Sequence, residues 1–245
     1  MAPAGRCTQS EGETLELLLM THFPNSEVSQ ELTAPAAALL ARRSDWRLAT
    51  RVVTYRRVEW DIDSVAPYKS PGVDGIFPAL LQEGREAVIP YLVRIFCAFL
   101  PVGCVSAIWR QVKVVFISKP GRNSYSRPKA YRPLSLTWFL LKTMESLMDR
   151  YLRDEALALR PLHPNQYAYQ TGKSMETVLH QLVVQVKKAL DQQETALGVF
   201  LDIEGVFSNT CYDTMCNALF RHGIAYAIVR WIRATWLWRP SMDFP

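Results

Sequence analysis

Chemistry is best sought where a charged side chain stands where burial would be expected. Residues 196–203 read ALGVFLDI, an apolar run closed by Asp202. A carboxylate at the end of a buried strand is costly unless it is paired or liganded. Displayed at a sheet edge, it suits two-metal phosphoryl transfer, where carboxylates hold Mg²⁺ ions roughly 4 Å apart. A helix cap or an ion pair at a strand end would use the same residue, and local sequence leaves both readings open. A second feature is a one-sign stretch. From 87 to 144 there is no Asp or Glu, while Arg94, Arg110, Lys113, Lys119, Arg122, Arg127, Lys129, Arg132 and Lys142 all fall within it. Solvated faces usually mix signs, so phosphate is the natural partner. An ordinary basic surface is the plainer alternative.

These residues need elements to hold them. Residues 1–60 form a helical region of low specificity, with an alanine-rich helix over 34–42, then Trp46 and the basic 51–57 stretch. Residues 66–82, APYKSPGVDGIFPALLQ, are punctuated by Pro67, Pro71, Gly72, Gly75 and Pro78 and predict tight turns. Within them, Lys69 and Asp74 fit a turn as readily as a site. A helix follows over 85–100, with Val88, Leu92, Ile95, Phe96 and Phe99 on one face. The β-branched run at 111–119 predicts a strand and YRPLSL at 131–136 its return, giving a hairpin that carries Lys113, Lys119 and Arg132. Helical spacing recurs over 138–158, 174–192 and 225–237. Another helix begins near Asn209 or Thr210, either of which could cap it. The run 196–203, short and wholly apolar before its carboxylate, predicts a central strand buried on both faces. Trp231, Trp236 and Trp238, beside Arg230, Arg233 and Arg239, suit stacking on nucleic acid or a core.

The bulk numbers set limits. Apolar residues at 49% of 245 exclude wholesale disorder, and 28 basic against 23 acidic residues lean mildly towards polyanions. Five cysteines without a CxxC pair read as a reduced, intracellular protein, in nucleus or cytoplasm and not secreted. Four scattered histidines make a zinc site improbable. The apolar stretch 88–109 is interrupted by Pro90, Arg94 and Pro101 and makes a poor membrane span, so no membrane partner is expected.

Five segments occur in order: APYKSPGVDGIFPALLQ, VKVVFISKPGR, YRPLSLTWFLLKTMESLMDRYL, LHPNQYAYQTGKSMETVLHQL and VFLDIEGVFSNT. Together they resemble the reverse transcriptase of non-LTR (LINE-type) retrotransposons of the jockey and R1-like kind, over about 21–236. The resemblance implies an α/β (α+β) chain with a partial right-hand polymerase fold: helix-rich fingers with a β-hairpin, and an incomplete palm sheet. By this reading 1–60 is an N-terminal helical extension, 61–195 the fingers and 196–245 the start of a truncated palm. The resemblance makes Asp202 a catalytic metal ligand, joined by the backbone carbonyl of Ile203, with Mg²⁺ as the cofactor. Lys119 and Arg132 resemble the residues that grip the incoming dNTP triphosphate; fixed cations there meet the charge developing on the leaving pyrophosphate. Phe207 resembles the aromatic that lies under the sugar and rejects a 2′-hydroxyl. Gln166 and Lys173 resemble a template-side motif, and with Lys113, Arg122, Arg127 and Lys129 they would contact the RNA template and DNA primer.

The sequence departs from the family in ways that bear on activity. No adjacent Asp-Asp occurs, so the second metal-binding turn is missing, and Val206 and Ser208 stand where the family has alanine and aspartate. The family's upstream endonuclease, the rest of its palm and its thumb are not seen. The expectation is a polymerase fragment, inert alone, with an uncovered strand edge at 196–203 that invites aggregation or a partner. Two alternatives stand beside it: a non-catalytic RNA- or DNA-binding remnant, and a remnant without function.

Overall fold

The computed structural model describes residues 8, 10–22, 42–203 and 210–236. Helix α1 (Glu11–His22) is followed by α2 (Arg43–Val52), α3 (Tyr55–Asp63), the short α4 (Pro78–Glu83) and α5 (Arg85–Val102). Strands β1 (Lys113–Ser118) and β2 (Tyr131–Leu136) come next, then α6 (Phe139–Tyr151), α7 (Met175–Asp191), α8 (Tyr212–Arg221) and α9 (Tyr226–Trp236). The mixture of helices with one small antiparallel sheet is an α+β arrangement. Among the described residues no helix is long and apolar enough to cross a membrane. Cys97, Cys104, Cys211 and Cys216 are free thiols.

The core lies where α2, α3, α5, α6 and α9 meet. Val52, Val58, Ile89, Phe96, Leu100, Met144, Leu147 and Ile228 are essentially inaccessible to solvent. This core draws on helices from all three of the stretches separated above by sequence. Local chemistry sets the helix ends. The Thr54 hydroxyl accepts from the Arg57 amide to start α3, and Ser174 forms a capping box with Thr177 to start α7. Helix α5 ends at Gly103 with φ +64°, where the Cys104 amide reaches back to the Phe99 carbonyl. A β-carbon at Gly103 would lie 2.5 Å from Cγ of Arg230, so this glycine serves both the turn and the packing of α9.

One buried ion pair fastens α3 to α6. Asp61 is 1% exposed. Its Oδ1 accepts from the Ser146 hydroxyl at 2.8 Å and from Arg150 at 2.5 Å. The Arg150 guanidinium also lies 3.7 Å over the Trp60 ring. Beyond α6 the chain makes one π-helical turn, Leu152–Ala156, and Glu155 in that turn pairs with Arg51 at 3.2 Å and Arg57 at 3.3 Å. Arg57 further donates to the Arg51 and Val52 carbonyls, closing the end of α2. Gln82 does the same for α3, donating to Ile62 and Val65 at 3.0 and 2.8 Å.

Three sequence expectations are corrected here, the first being the turn stretch 66–82, whose residues from Pro78 onward belong to α4. Residues 196–203 form no strand, and they lie open to solvent, with Leu197 at 89% and Phe200 at 86% exposure. A two-sided central strand needs a ladder on its edges, and among the described residues the sheet holds only β1 and β2, paired to one another. Helix α7 forms where its spacing predicts, but none of its side chains is buried, and Leu182, Val183, Val186 and Leu190 are exposed. The next helix starts at Tyr212 with Cys211 in the cap position, so Thr210 is not its cap. Asn209 and most of the alanine-rich 34–42 stretch lie outside the described residues.

The Asp61 pair supports a stability prediction. Burial holds its carboxyl above the ordinary value, and the Ser146 bond and the Arg150 and Arg57 charges pull it back only in part. Asp61→Ala should cost about 3–5 kcal/mol in urea unfolding, because Arg150 loses its buried partner. The folded state holds the Asp61 proton more tightly than the unfolded chain. The Asp61 contribution is therefore full below the unfolded pKa, near 4, and declines as pH rises through the raised folded value. The stability difference between wild type and Asp61→Asn should shrink over that window and then level off.

Candidate nucleotide and nucleic-acid interface

The hairpin register decides which side chains share a face. Lys113 pairs with Leu136, Val115 with Leu134 and Ile117 with Arg132. Alternation along a strand puts these six on one side. Val115, Ile117 and Leu134 are exposed there, with Lys113 and Arg132 also open to solvent. The opposite side carries Phe116, whose ring centroid lies 5.9 Å from that of His22 at the end of α1. His22 Nε2 faces the Pro128 carbonyl at 3.0 Å and so must carry the proton there. Helix α1 thus backs one face, and the other is left as an apolar strip bounded by cations.

Lys119 continues the ladder by one step, its amide donating to the Ala130 carbonyl at 2.8 Å. Its ammonium donates to the Lys129 carbonyl at 2.8 Å, and its own carbonyl accepts from the Tyr125 hydroxyl at 3.0 Å. The connection between the strands is therefore tied by its own groups, with Arg122, Arg127 and Lys129 exposed on it. The stretch from 87 to 144 itself contains no carboxylate. The charged side chains that this stretch puts on the surface are all of one sign.

The KSPGVDG loop is seated against the start of α6. A β-carbon at Gly72 would lie 3.0 Å from the Thr137 carbonyl carbon and oxygen, so a larger residue would push this backbone back by a few tenths of an ångström. Asp74 accepts from the Ile76 amide at 3.3 Å and Gly75 takes φ +69°, which is turn chemistry. Lys173 closes its own loop: it donates to the Pro164 and Gln166 carbonyls and lies 5.0 Å over the Tyr167 ring. Gln166 is exposed, and its carbonyl also accepts from Gln170 at 2.8 Å.

Asp202 and Ile203 are exposed, and among the described residues no hydrogen bond or ion pair joins Asp202 to the hairpin. Phe207, Val206 and Ser208 lie outside the described residues, as do Trp238 and Arg239. Trp231 is core, 2% exposed. Arg230 is structural too: it donates to the Pro101 carbonyl and stands 3.9 Å from Asp45. Sequence reading missed the apolar strip beside the cations, although the alternation of 113–118 and 131–136 already carried it.

Residues 117–243 match the model of the reverse transcriptase (RNA-dependent DNA polymerase) family. The chain belongs to the reverse transcriptase family. It is 32% identical over 156 residues to the probable RNA-directed DNA polymerase from transposon BS of Drosophila melanogaster, covering 64% of this chain and 17% of that protein. It is 30% identical over 156 residues to the RNA-directed DNA polymerase from mobile element jockey of Drosophila funebris, covering 63% and 17%. A pol polyprotein of the type-1 retrotransposable element R1 from Bradysia coprophila is 28% identical over 141 residues, covering 58% and 14%. The chain thus spans about a sixth of the length of these non-LTR transposon relatives.

Membership in the reverse transcriptase family raises the question of a divalent metal. Asp202 and a backbone carbonyl are hard oxygen donors of the right kind for Mg²⁺. They supply one carboxylate, however, and among the described residues no group of three His, Cys, Asp or Glu side chains could hold a metal ion. The described residues of this reverse transcriptase chain do not make up a complete Mg²⁺ site.

The loop bonds of Lys173 give a test. Lys173→Met should leave the unfolding midpoint nearly unchanged, yet raise hydrogen-exchange rates of the 165–173 amides severalfold, because the bonds it removes are local.

Proposed function

We propose that this chain is the fingers side and the first palm segment of an RNA-directed DNA polymerase of a non-LTR retrotransposon, a nucleotidyltransferase segment that holds nucleic acid but does not polymerise alone. The observation that carries this reading is the open hairpin face, where Lys113 and Arg132 flank an apolar strip in a stretch without carboxylates. Here residues 61–195 act as fingers, 196–245 begin the palm, and 1–60 are an N-terminal extension.

In this reading Arg132 holds phosphate oxygens of the incoming dNTP bidentately and Lys119 acts as a point charge. To reach the triphosphate, Lys119 must exchange its bond to the Lys129 carbonyl for a phosphate oxygen. The apolar strip of Val115, Ile117 and Leu134 offers a surface for base or sugar faces. Lys113, Arg122, Arg127 and Lys129 follow the backbone of the RNA template and DNA primer, with Gln166 and Lys173 on the template side. Phe207 is assigned to the sugar, and Asp202 with the Ile203 carbonyl to one part of a Mg²⁺ site. Stabilising the transferring phosphoryl group falls to two metal ions, and holding both needs more carboxylates than that. Each 1.36 kcal/mol of lost stabilisation is about a tenfold loss of rate.

Two outcomes follow. Primer extension on a poly-rA template with Mg²⁺ or Mn²⁺ should give no incorporation above that of an Asp202→Ala control; incorporation above it would overturn the claim of inactivity. RNA binding, in contrast, should fall steeply with salt. Changing Arg127, Lys129 and Arg132 together to Ala should lower the slope of log affinity against log salt by about two, as three phosphate contacts on a single strand would. An unchanged slope would remove the hairpin from the interface.

A further inference from the structure

We propose a second nucleic-acid contact on this chain, on the outer face of α2, made for single-stranded RNA or DNA by Arg43, Trp46, Arg47 and Arg51. It lies outside the residues that match the family model, which begin at 117. It is also independent of the hairpin reading.

The sequence from 42 to 57 holds six arginines (42, 43, 47, 51, 56 and 57) against one acid, Asp45. Helical periodicity sorts them. Ala49 and Val52 are buried against the core, and Asp45 is on that same inner side, near Arg230. Arg43, Trp46, Arg47, Thr50 and Arg51 occupy the outer arc and are all exposed. No carboxylate of α2 shares that arc. Glu155 reaches its edge to pair with Arg51 at 3.2 Å, whereas Arg43 and Arg47 have no acidic partner among the described residues.

Two features set this face apart from an ordinary solvated one. First, Arg43, Arg47 and Arg51 repeat at i, i+4, a spacing at which like charges repel and weaken the helix. Second, Arg42 and Arg43 stand at the N-terminal end of α2, where the helix dipole favours acids and disfavours cations. Both placements work against the helix and become favourable when an anion lies along it. Successive guanidinium roots are about 6 Å apart along the axis, four residues of helical rise. Trp46, 43% exposed, stands between them with an indole for a partner to cover.

The aromatic specifies the partner. A duplex offers phosphates but keeps its base faces stacked, whereas a single strand offers both. Arginine rather than lysine at each cationic position suits phosphate bidentately and stacks on bases.

The test is fluorescence anisotropy of a labelled oligouridine RNA, with the matching single-stranded DNA and an RNA duplex as parallel probes. The full chain is used, and circular dichroism with thermal melting monitors the fold. Trp46→Ala should weaken single-strand binding about tenfold or more without changing the salt slope, and Trp46→Phe should restore most of it. Arg43→Ser with Arg47→Ser should lower the slope by about 1.4, two single-strand contacts' worth. The effects should persist in a Lys113→Ala, Arg132→Ala background, since distant sites add. Wild-type binding by either α2 variant with an unchanged fold would overturn the proposal. So would an equal loss on duplex and single strand from Trp46→Ala, because stacking would then have no part in it.

Discussion

The buried Asp61 carboxylate is the constraint on which the rest of the structure leans. It is nearly sealed from water, yet it meets Ser146 and Arg150 across the helix interface. An ion pair so placed adds little net stability over well-packed apolar residues, but losing one member is severe. It joins α3 to α6 at one point, through Ser146 and Arg150. Helix α6 starts three residues after β2 ends, so whatever holds α6 on α3 also sets the root of the hairpin. The KSPGVDG loop reaches the same junction from the other side, through the close approach of Gly72 to Thr137. One contact thus holds the second half of α6 and the other the residues just before it, from which the charged hairpin projects.

The hairpin itself gains its asymmetry from α1. A two-stranded ribbon alone is marginal in water, and one face needs cover. His22 and Phe116 provide that on one side, together with the His22 bond to Pro128. The other face keeps its apolar residues in solvent beside Lys113 and Arg132. Exposing such a strip is unfavourable for a free ribbon, so this face is the one on which a partner would gain most by burial.

Most local elements were legible in the sequence because their signals are local. Four of the longer helices, α5, α6, α7 and α9, follow from 3.6-residue spacing, and the hairpin from two β-branched or alternating runs around Pro120-Gly121. The candidate cations of the hairpin were legible for the same reason. What failed was the inference from pattern to burial. The run 196–203 reads as a buried strand, but burial is a property of neighbours, and none of the described strands lies beside it. Helix α7 shows the same limit: its amphipathic spacing is real, while its apolar face has no cover among the described residues. Trp231 went the other way, since an aromatic beside arginines can belong to either environment and only its contacts decide. The Asp61–Arg150 pair joins residues 89 apart, and neither end stands out in sequence.

The exposed segment and the metal question meet at one residue. Asp202 ends an apolar run that has no ladder partner, so its backbone carries no sheet to orient it. A metal ligand must be held within a fraction of an ångström to be useful, and a carboxylate on an unpaired segment is not. Among the described residues, position and donor number therefore fall short together, and no described strand lies beside the run. Adjacent strands would supply the ladder that orients Asp202. If further acids come with a strand that pairs with this run, orienting Asp202 and completing the metal site are a single structural event.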